Sequence, residues 1–328
     1  MLAGDIYAPR KIRLVQVPEP KLADSANDAK GGGRIIFQPE LACLCSSDLP
    51  FFERDYPKFM PNVGQSLHEM IGRVVETNGA RFRPGDRVLC VPDVHFGLWE
   101  RFDVADERAI PLAPNVSDEQ AVLAQPLGTV ICALKKLPTL VDLDIVVVGQ
   151  GPMGQLLAAG ARNLGAREII GLDRLDSRLA KSLAMGASAV VNVDREDPIA
   201  AVERITGGNL ADIVIEAVGH RDHALNLCIE LCRERGRILF FGLPTPTGIM
   251  NGIRWQQLFL KNITVHTSVG PTFTRDFPLA MRWISESRID VTPIMTHRFK
   301  LDEIQTAFDT FYERRDGALK VFVEFPAR

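Results

Sequence analysis

The sequence predicts an α/β protein in which a doubly wound parallel sheet accompanies a second, antiparallel β domain. From about residue 127 to residue 268, apolar strands alternate with helices across short connections, which is typical of parallel βαβ units. Before about Leu112, short strands are instead separated by turn residues such as Asn78-Gly79 and Pro84-Gly85, a pattern that favours antiparallel pairing. The chain therefore contains two domains of different architecture.

Composition is that of a globular protein with two domains of ordinary size. The 328 residues are 46% hydrophobic, and 38 Lys and Arg against 41 Asp and Glu give a net charge of −3, which argues against a nucleic-acid partner. No apolar run approaches the roughly 18 residues of a membrane span, and the N-terminus lacks the features of a signal peptide, so we expect no membrane partner and a cytoplasmic protein. The six cysteines form no C-x-x-C pair, which excludes a four-cysteine zinc knuckle.

The order of elements follows from apolar patterning and turn residues. The loop at 21–33, with three successive glycines, is assigned no function. Ser117 and Gln120 form a predicted capping box at the start of the helix at 118–124. Strands are predicted at 34–39, 71–77, 86–92, 145–149, 168–172, 189–192, 213–217, 237–241, 263–267 and 320–325, and helices at 118–124, 127–137, 152–164, 176–185, 198–206, 220–232, 277–286 and 301–314.

A glycine-rich turn after the strand at 145–149 carries the clearest functional signal. Gly149, Gly151 and Gly154 let the backbone turn tightly into a helix that opens at Pro152. The first N–H groups of such a helix can hold a diphosphate, because they lack partners and carry partial positive charge. The alternative interpretation is a purely structural glycine turn in another kind of α/β unit.

Asp173 strengthens the cofactor interpretation. It ends the next strand, nineteen residues past Gly154, where a carboxylate can bind both ribose hydroxyls of an adenosine and repel a 2′-phosphate. The pattern therefore predicts NAD, although Arg174 and Arg178 leave NADP open.

A second group of residues has the chemistry of a metal site. Cys45 is followed by Ser47 and Asp48, and His68-Glu69 begins 23 residues after Cys45. A thiolate, an imidazole and a carboxylate can hold zinc with three protein ligands and leave a fourth position open for water or substrate. The alternatives are a cysteine that only packs in the core and a His-Glu pair that only begins a strand.

Several motifs in order resemble the medium-chain dehydrogenase/reductase superfamily, in its zinc-dependent alcohol and polyol dehydrogenase branch. They are Leu-Cys-Ser-Ser-Asp at 44–48, His-Glu-Met-Ile-Gly-Arg-Val-Val at 68–75, Arg-Pro-Gly-Asp-Arg-Val at 83–88, the glycine-rich loop at 149–154 and Gly-Ala-Leu-Lys-Val at 317–321. The resemblance implies a Rossmann NAD-binding domain at 127–268 and a GroES-like catalytic domain formed by 1–126 and 269–328.

The resemblance also implies roles for single residues. Cys45 and His68 match the first two ligands of one catalytic Zn²⁺, Ser47 the hydroxyl that bonds the substrate oxygen and passes on its proton, and Asp48 the carboxylate that orients the zinc histidine. Thr129 matches the residue packed against the nicotinamide. The predicted cofactor contacts are Gly149, Gly151, Pro152, Met153, Gly154, Asp173, Arg174, Arg178, Thr129 and Val218.

Two departures from the family pattern affect the metal site. Gln125 stands where the polyol branch often has an acidic residue. Glu69 then becomes the expected third ligand, and Gln125 would hold the zinc-bound water or bind weakly through its carbonyl; loss of zinc is the alternative. Leu67 replaces the glycine that usually precedes the metal histidine, which questions the local backbone conformation.

Two further departures affect the surroundings of the site. The structural zinc lobe is missing, since no cysteine cluster separates Pro92 from Phe96, and Pro50 replaces a histidine that ends the proton relay in several alcohol dehydrogenases. The Ser47 proton must then leave through the cofactor ribose, through water or through another side chain. His95 is the candidate for that side chain or for a substrate contact, the alternative being an ordinary loop or core residue. Aromatic residues after the metal loop are candidates for a pocket wall or for core: Phe51, Phe52, Tyr56 and Phe59.

The expected activity is reversible, NAD-dependent oxidation of an alcohol, such as a polyol, amino alcohol or related secondary alcohol, to a carbonyl, with zinc as the Lewis acid. A zinc-free reductase of the same fold and a non-catalytic nucleotide-binding module are the alternatives. The resemblance implies a homodimer or homotetramer, with the strand around 263–269 as a segment that pairs across a two-fold axis or forms an internal sheet edge.

Overall fold

The computed structural model describes residues 1–23, 32–54, 60–219, 223–244, 249 and 252–327. Its internal contacts divide the chain into two compact units. The first unit comprises residues 1–128, 272–286 and 295–328, and the second unit comprises residues 129–271 and 287–294.

The strands, in chain order, are β1 (Leu2–Ala8), β2 (Lys11–Gln16), β3 (Arg34–Cys43), β4 (Glu69–Thr77), β5 (Arg87–Cys90), β6 (Phe102–Ala105), β7 (Ala109–Pro111), β8 (Asp144–Val148), β9 (Glu168–Asp173), β10 (Ala189–Asn192), β11 (Ala211–Glu216), β12 (Cys232–Phe240), β13 (Thr264–Thr267), β14 (Met295–Lys300) and β15 (Lys320–Glu324).

The α-helices are α1 (Leu49–Glu53), α2 (Asp118–Val122), α3 (Ala124–Leu134), α4 (Pro152–Asn163), α5 (Asp176–Ala184), α6 (Pro198–Ile205), α7 (His223–Leu231), α8 (Trp255–Leu260), α9 (Asp276–Ser285) and α10 (Ile304–Glu313). The predicted capping box is confirmed at α2, where the Ser117 hydroxyl accepts from the Gln120 N–H and the Gln120 side chain accepts from the Ser117 N–H.

The first unit contains the predicted antiparallel sheet. Its strands follow the order β14-β15-β3-β4-β5-β7, with β6 also paired to β3, and β14 with β15 is a parallel pair. Cys43, at the end of β3, lies opposite Glu69, the first residue of β4, and also opposite Phe322 of β15. The segment after β3 and the segment before β4 are thereby brought to the same end of the sheet.

The core of the first unit lies between this sheet and the elements packed on it. The Phe52 ring of α1 contacts the Phe308 ring of α10 with centroids 4.9 Å apart, and both side chains are buried. The short helix α1, which follows the cysteine-containing loop at 44–48, is therefore fixed by apolar packing on α10, near the C-terminal end of the chain.

The second unit is the predicted doubly wound parallel sheet, with strand order β10-β9-β8-β11-β12-β13. All five residues of β8 are buried, as expected for a central strand covered on both faces. The order reverses between β8 and β11, so ligand binding is expected at the carboxyl ends of these strands.

Most predicted elements are observed with ends shifted by one to three residues. The elements that were not predicted are the hairpin of β1 and β2, the short elements α1, β6, β7 and α8, and the strand β14. No residue of β14 is fully buried, so its sequence lacks the apolar alternation of a core strand. Residues 220–222 of the predicted helix at 220–232 lie outside the described residues. Within the described part of the chain, no helix is both long enough and apolar enough to cross a membrane.

Candidate active site

The sheet register assembles a cluster of three metal-ligating side chains in the first unit. Cys45 lies two residues beyond β3, while His68 and Glu69 stand at the start of β4. One ligand atom from each of these residues lies within 4.8 Å of the others. A pair of antiparallel strands therefore joins residues that are 23 positions apart in sequence.

Asp48 fixes the backbone on both sides of this cluster. It is fully buried, and its carboxylate accepts hydrogen bonds from the Cys45 N–H (2.8 Å), the Leu67 N–H (2.8 Å) and the Ser66 hydroxyl (3.0 Å). His68 Nδ1 lies 3.9 Å from the same carboxylate. One side chain thus holds the cysteine loop and the histidine segment in register, the orienting role predicted for Asp48.

Leu67 shows why a glycine is usual before the metal histidine. Its φ is +61°, in the left-handed region, while its side chain is completely buried in the core of the first unit. The conformation that a glycine would adopt freely is kept here, with apolar burial of the leucine offsetting its backbone strain.

His68 of the cluster and the neighbouring His95 are driven to opposite charge states. Burial opposes charge on His68, but the hydrogen-bonding and charge of Asp48 and Cys45 outweigh it and raise the pKa of His68 to about 10. Burial, reinforced by the positive charge of His68, lowers the pKa of His95 to about 4. Burial disfavours the Asp48 carboxylate as well, yet the neighbouring His68 holds the pKa of Asp48 below its usual value. In the metal-free site His68 therefore carries the proton that a metal ion would displace, and His95 is neutral.

His95 lies within the same site. Its ring meets the His68 ring edge-on with centroids 4.4 Å apart, and the Phe51 ring lies 5.3 Å away. Val94 and His95 both have positive φ, +43° and +62°, so the short turn of residues 93–95 departs from helical geometry. This turn brings a neutral imidazole beside the metal-ligand cluster.

Two buried oxygen atoms at the site lack hydrogen-bond partners within the described part of the chain: Ser47 Oγ and Glu69 Oε1. A buried polar atom without a partner costs roughly 1–3 kcal/mol. Since Glu69 Oε1 belongs to the ligand cluster and Ser47 follows Cys45 closely, their partners are expected from a bound ion and a bound substrate. The thiolate, imidazole and carboxylate donor set fits zinc.

Lys320 is the residue of this site that sequence reasoning missed. The ammonium group of Lys320 forms a fully buried ion pair with Glu69 Oε2 and also lies 3.4 Å from the Leu44 carbonyl oxygen. Although burial opposes its charge, the carboxylate of Glu69 raises the pKa of Lys320. The available signal was a lysine within the apolar strand β15, a position where an unpaired charge is not tolerated.

The remaining predicted residues of the first unit are placed as follows. Gln125 is buried in the first turn of α3. Phe52 is core, Phe51 is partly buried beside His95, and Tyr56 and Phe59 lie outside the described residues. The roles of Gln125 and His95 stay predictions.

The second unit contains the glycine-rich turn for which diphosphate binding is predicted. Gly149 has a φ of +94°, and a Cβ on Gly154 would lie 1.8 Å from the Gly149 carbonyl oxygen, so both positions require glycine. A Cβ on Gly151 would meet only Arg178 Nη1, at 3.8 Å, which leaves the backbone of the turn open to a ligand. Gly151 also caps α4 without a side chain, and Pro152 and Met153 begin that helix. The geometry fits a diphosphate at the helix N-terminus.

Asp173 lies beside this turn. Asp173 Oδ2 accepts from the Gln150 N–H at 2.8 Å and lies 3.5 Å from Arg178 Nη1. Asp173 Oδ1 accepts from the Arg174 N–H at 2.7 Å, while the Arg174 guanidinium bonds Asp194 at 2.9 Å. Thr129 is half-buried in α3, and Val218, after β11, is 42% exposed beside Gly149. The two arginines thus have different settings: the Arg178 guanidinium lies next to the Asp173 carboxylate, and the Arg174 guanidinium is held by Asp194.

Known dehydrogenases are similar to this chain over both of its units. Residues 152–286 match a family model described as zinc-binding dehydrogenase. The L-threonine 3-dehydrogenase of Marinomonas sp. (strain MWYL1) is 26% identical over 93% of this chain and 94% of its own, and that of Anaeromyxobacter dehalogenans (strain 2CP-C) is 29% identical over 86% and 89%. The solved alcohol dehydrogenase TADH from Thermus sp. ATN1 superposes with a TM-score of 0.85 at 22% identity, covering 99% of this chain and 100% of that one.

The solved structure establishes the likeness of fold, a Rossmann domain with a GroES-like domain. The family model covers residues 152–286, which are most of the second unit and the segment of the first unit that contains α9, and the Marinomonas relative aligns with 93% of the chain. The chain is therefore similar across both units to zinc-binding dehydrogenases, with a family-model match over residues 152–286 and two L-threonine 3-dehydrogenases that align over most of its length.

Proposed function

We propose that this protein is a zinc-dependent oxidoreductase that transfers hydride between NAD(H) and an alcohol or carbonyl substrate. One observation carries the proposal: Cys45, His68 and Glu69 converge within 4.8 Å, next to a buried Ser47 hydroxyl that has no hydrogen-bond partner among the described residues. A non-catalytic nucleotide-binding module has no evident need for this combination.

The chemistry divides between the bound groups and the protein. Zinc held by Cys45, His68 and Glu69 supplies Lewis acidity, and NAD supplies the hydride acceptor. Ser47 is the group to which we assign the substrate proton, because its buried hydroxyl has no hydrogen-bond partner in the described part of the chain. Asp48 keeps the ligand loop and His68 in fixed positions through its three hydrogen bonds.

Ser47 must pass its proton on, since a serine does not retain one. The position that carries a relay histidine in several family members is Pro50, so the proton must leave through the cofactor ribose, through water or through another side chain. His95, neutral at pH 7 and packed against His68, is our candidate within the first unit.

The substrate class that we propose is a secondary alcohol such as a polyol or an amino alcohol. Both relatives described above are named L-threonine 3-dehydrogenase, and threonine carries a secondary hydroxyl next to an amine-bearing carbon.

NAD is proposed as the preferred cofactor because Asp173 ends β9 beside the glycine turn and offers a carboxylate to a free ribose. Arg174 would suit a 2′-phosphate, but its guanidinium is paired with Asp194.

A homodimer or homotetramer is proposed from the edge of the parallel sheet. β13 ends the strand order of that sheet, and Val265 on it is 40% exposed. Trp255 and Phe259 on α8, together with Val269, are 66–81% exposed. An unpaired strand edge with apolar neighbours is suited to pairing with a second copy. Light scattering tests this: Val265→Lys should convert the oligomer into a smaller species.

A substrate panel tests the proposed activity. Purified protein with its metal is incubated with NAD and with polyols, amino alcohols and hydroxy acids, and NADH formation is followed by absorbance. Turnover of a secondary alcohol that disappears in Ser47→Ala, while zinc content is kept, supports the proposal. Turnover of carbonyl compounds by metal-free protein would favour a zinc-free reductase, and no turnover of any compound would favour the nucleotide-binding module.

A further inference from the structure

A buried carboxylate joins two loops at the ligand-binding edge of the parallel sheet. Glu216 is the last residue of β11 and is fully buried. Its Oε1 accepts from the Val218 N–H (2.9 Å) and the Gly219 N–H (3.0 Å), and its Oε2 accepts from the Gly242 N–H (3.1 Å). One side chain thus satisfies three backbone donors, which belong to the loops after β11 and after β12.

These two loops pack through glycines. A Cβ on Gly242 would lie 2.4 Å from Glu216 Oε2 and 2.4 Å from the Gly219 nitrogen, so no other residue fits without displacing the loop. Gly219 itself has a φ of +66° and approaches Leu243 and Gly242. The carboxylate and the two glycines form a unit that we call the Glu216 clasp, comprising Glu216, Val218, Gly219 and Gly242.

The clasp lies directly beside the diphosphate turn. Val218 Cγ2 is 3.0 Å from the position that a Cβ on Gly149 would occupy, and the Ala217 N–H donates to the Val148 carbonyl at 2.9 Å. The half of the sheet with β8, β9 and Asp173 provides the adenosine end of a dinucleotide site, and β11 and β12 lie on the other side of the strand reversal. The clasp therefore stands where the second nucleotide of NAD is expected.

We infer that Glu216 is a positioning residue for the nicotinamide riboside half of NAD, acting through Val218 and Gly219 rather than by contact with the cofactor. The inference rests on the proposed use of NAD and adds a residue to it. Its physical basis is preorganisation, because a loop already fixed by three hydrogen bonds to one carboxylate loses little conformational entropy when the cofactor binds. Without the carboxylate, the same loop must be ordered by the cofactor itself.

Two ligands separate this role from general stabilisation of the sheet. NADH contains both halves of the dinucleotide, whereas ADP contains the adenosine and the diphosphate but no nicotinamide riboside. Glu216→Gln places an amide donor against the Gly242 N–H and breaks the clasp on one side. We expect NADH to bind about tenfold more weakly, which corresponds to about 1.4 kcal/mol, with ADP affinity changed less than about twofold. The KM for NAD should rise in parallel, with kcat at saturating NAD largely kept.

A matched control is Asp144→Asn. Asp144 is another buried carboxylate of the same sheet, and it is hydrogen-bonded to the Arg167 guanidinium. It is the first residue of β8 and therefore lies at the opposite end of that strand from the ligand site. This variant should lose stability without changing the ratio of NADH to ADP affinity. Gly242→Ala keeps the carboxylate but forces the Gly219 loop aside, so it should reproduce the Glu216→Gln effect and provides the test if that variant does not fold.

The measurement is titration of NADH by fluorescence and of ADP by calorimetry, for the unaltered protein and the three variants. Selective weakening of NADH in Glu216→Gln or Gly242→Ala supports the inference. Equal weakening of NADH and ADP, or unchanged affinity for both, overturns it while leaving the proposed cofactor intact. An unaltered protein that binds ADP but not NADH would overturn both the proposed function and this inference.

Discussion

Replacing Lys320 by methionine tests the account of the buried ion pair at the metal site. Lys320→Met keeps most of the side-chain volume and removes the ammonium group that faces Glu69. Because both side chains are about 1% exposed, solvent cannot replace the missing partner. The carboxylate of Glu69 is then left buried next to a thiol and without its compensating cation.

The expected loss in the metal-free protein is about 3–5 kcal/mol of unfolding free energy, the usual cost of removing one member of a buried ion pair. Glu69→Gln in the same background removes the stranded charge, so the double variant should recover about 2 kcal/mol or more of that loss. Zinc binding should also reduce the loss, since the bound cation would compensate the Glu69 carboxylate in place of Lys320.

The assay is urea unfolding at equilibrium, with and without zinc, for the two single variants and the double variant. Lys11→Met is the matched control, because Lys11 is exposed on β2 and its loss should change stability by less than about 0.5 kcal/mol. A loss from Lys320→Met no larger than that from Lys11→Met, or losses from Lys320→Met and Glu69→Gln that simply add in the double variant, would show that the ion pair does not stabilise the protein in this way.

Three further outcomes follow from the structure. His68 has a pKa of about 10 in the metal-free site against about 6.5 in the unfolded chain, so its contribution to stability is complete below about pH 6.5 and is lost as the pH rises to 10. Zinc binding should release the His68 proton, and zinc affinity should therefore increase with pH. Calorimetry in buffers of different ionisation enthalpy measures this proton release. Leu67→Gly should relieve left-handed strain of about 1–2 kcal/mol but lose more from the core, giving a net loss of about 2 kcal/mol with zinc affinity kept, as measured by thermal and metal titrations. Asp194→Asn should release Arg174 and raise the preference for NADP over NAD by up to about fivefold in kcat/KM, because an exposed ion pair is worth at most about 1 kcal/mol; an unchanged ratio would exclude this role for Arg174.

The parts of the fold and site that are local in sequence could be predicted from it. The strand, glycine turn and helix around Gly149 are contiguous, and the requirement for glycine at Gly149 and Gly154 is a property of the backbone there. Asp173 is likewise placed by the next strand of the same unit. These elements are specified by apolar runs and by turn residues, both of which can be read directly from the sequence.

Contacts between distant segments could not be predicted in the same way. Lys320 and Glu69 are 251 positions apart, and only the pairing of β15 with β3, and of β3 with β4, brings them together. The Glu216 clasp depends on the side-by-side placement of β11 and β12. Leu67 illustrates a different limit, because a buried leucine in the left-handed region contradicts its own backbone preference and is tolerated through tertiary packing.

The metal content of the purified protein tests the central claim most directly. Elemental analysis should find about one zinc per chain, and Cys45→Ser or His68→Ala should remove both the metal and the oxidation of alcohols by NAD while leaving the chain folded. A metal-free protein that oxidises alcohols at the same rate would contradict the assignment of Cys45, His68 and Glu69 as the zinc site.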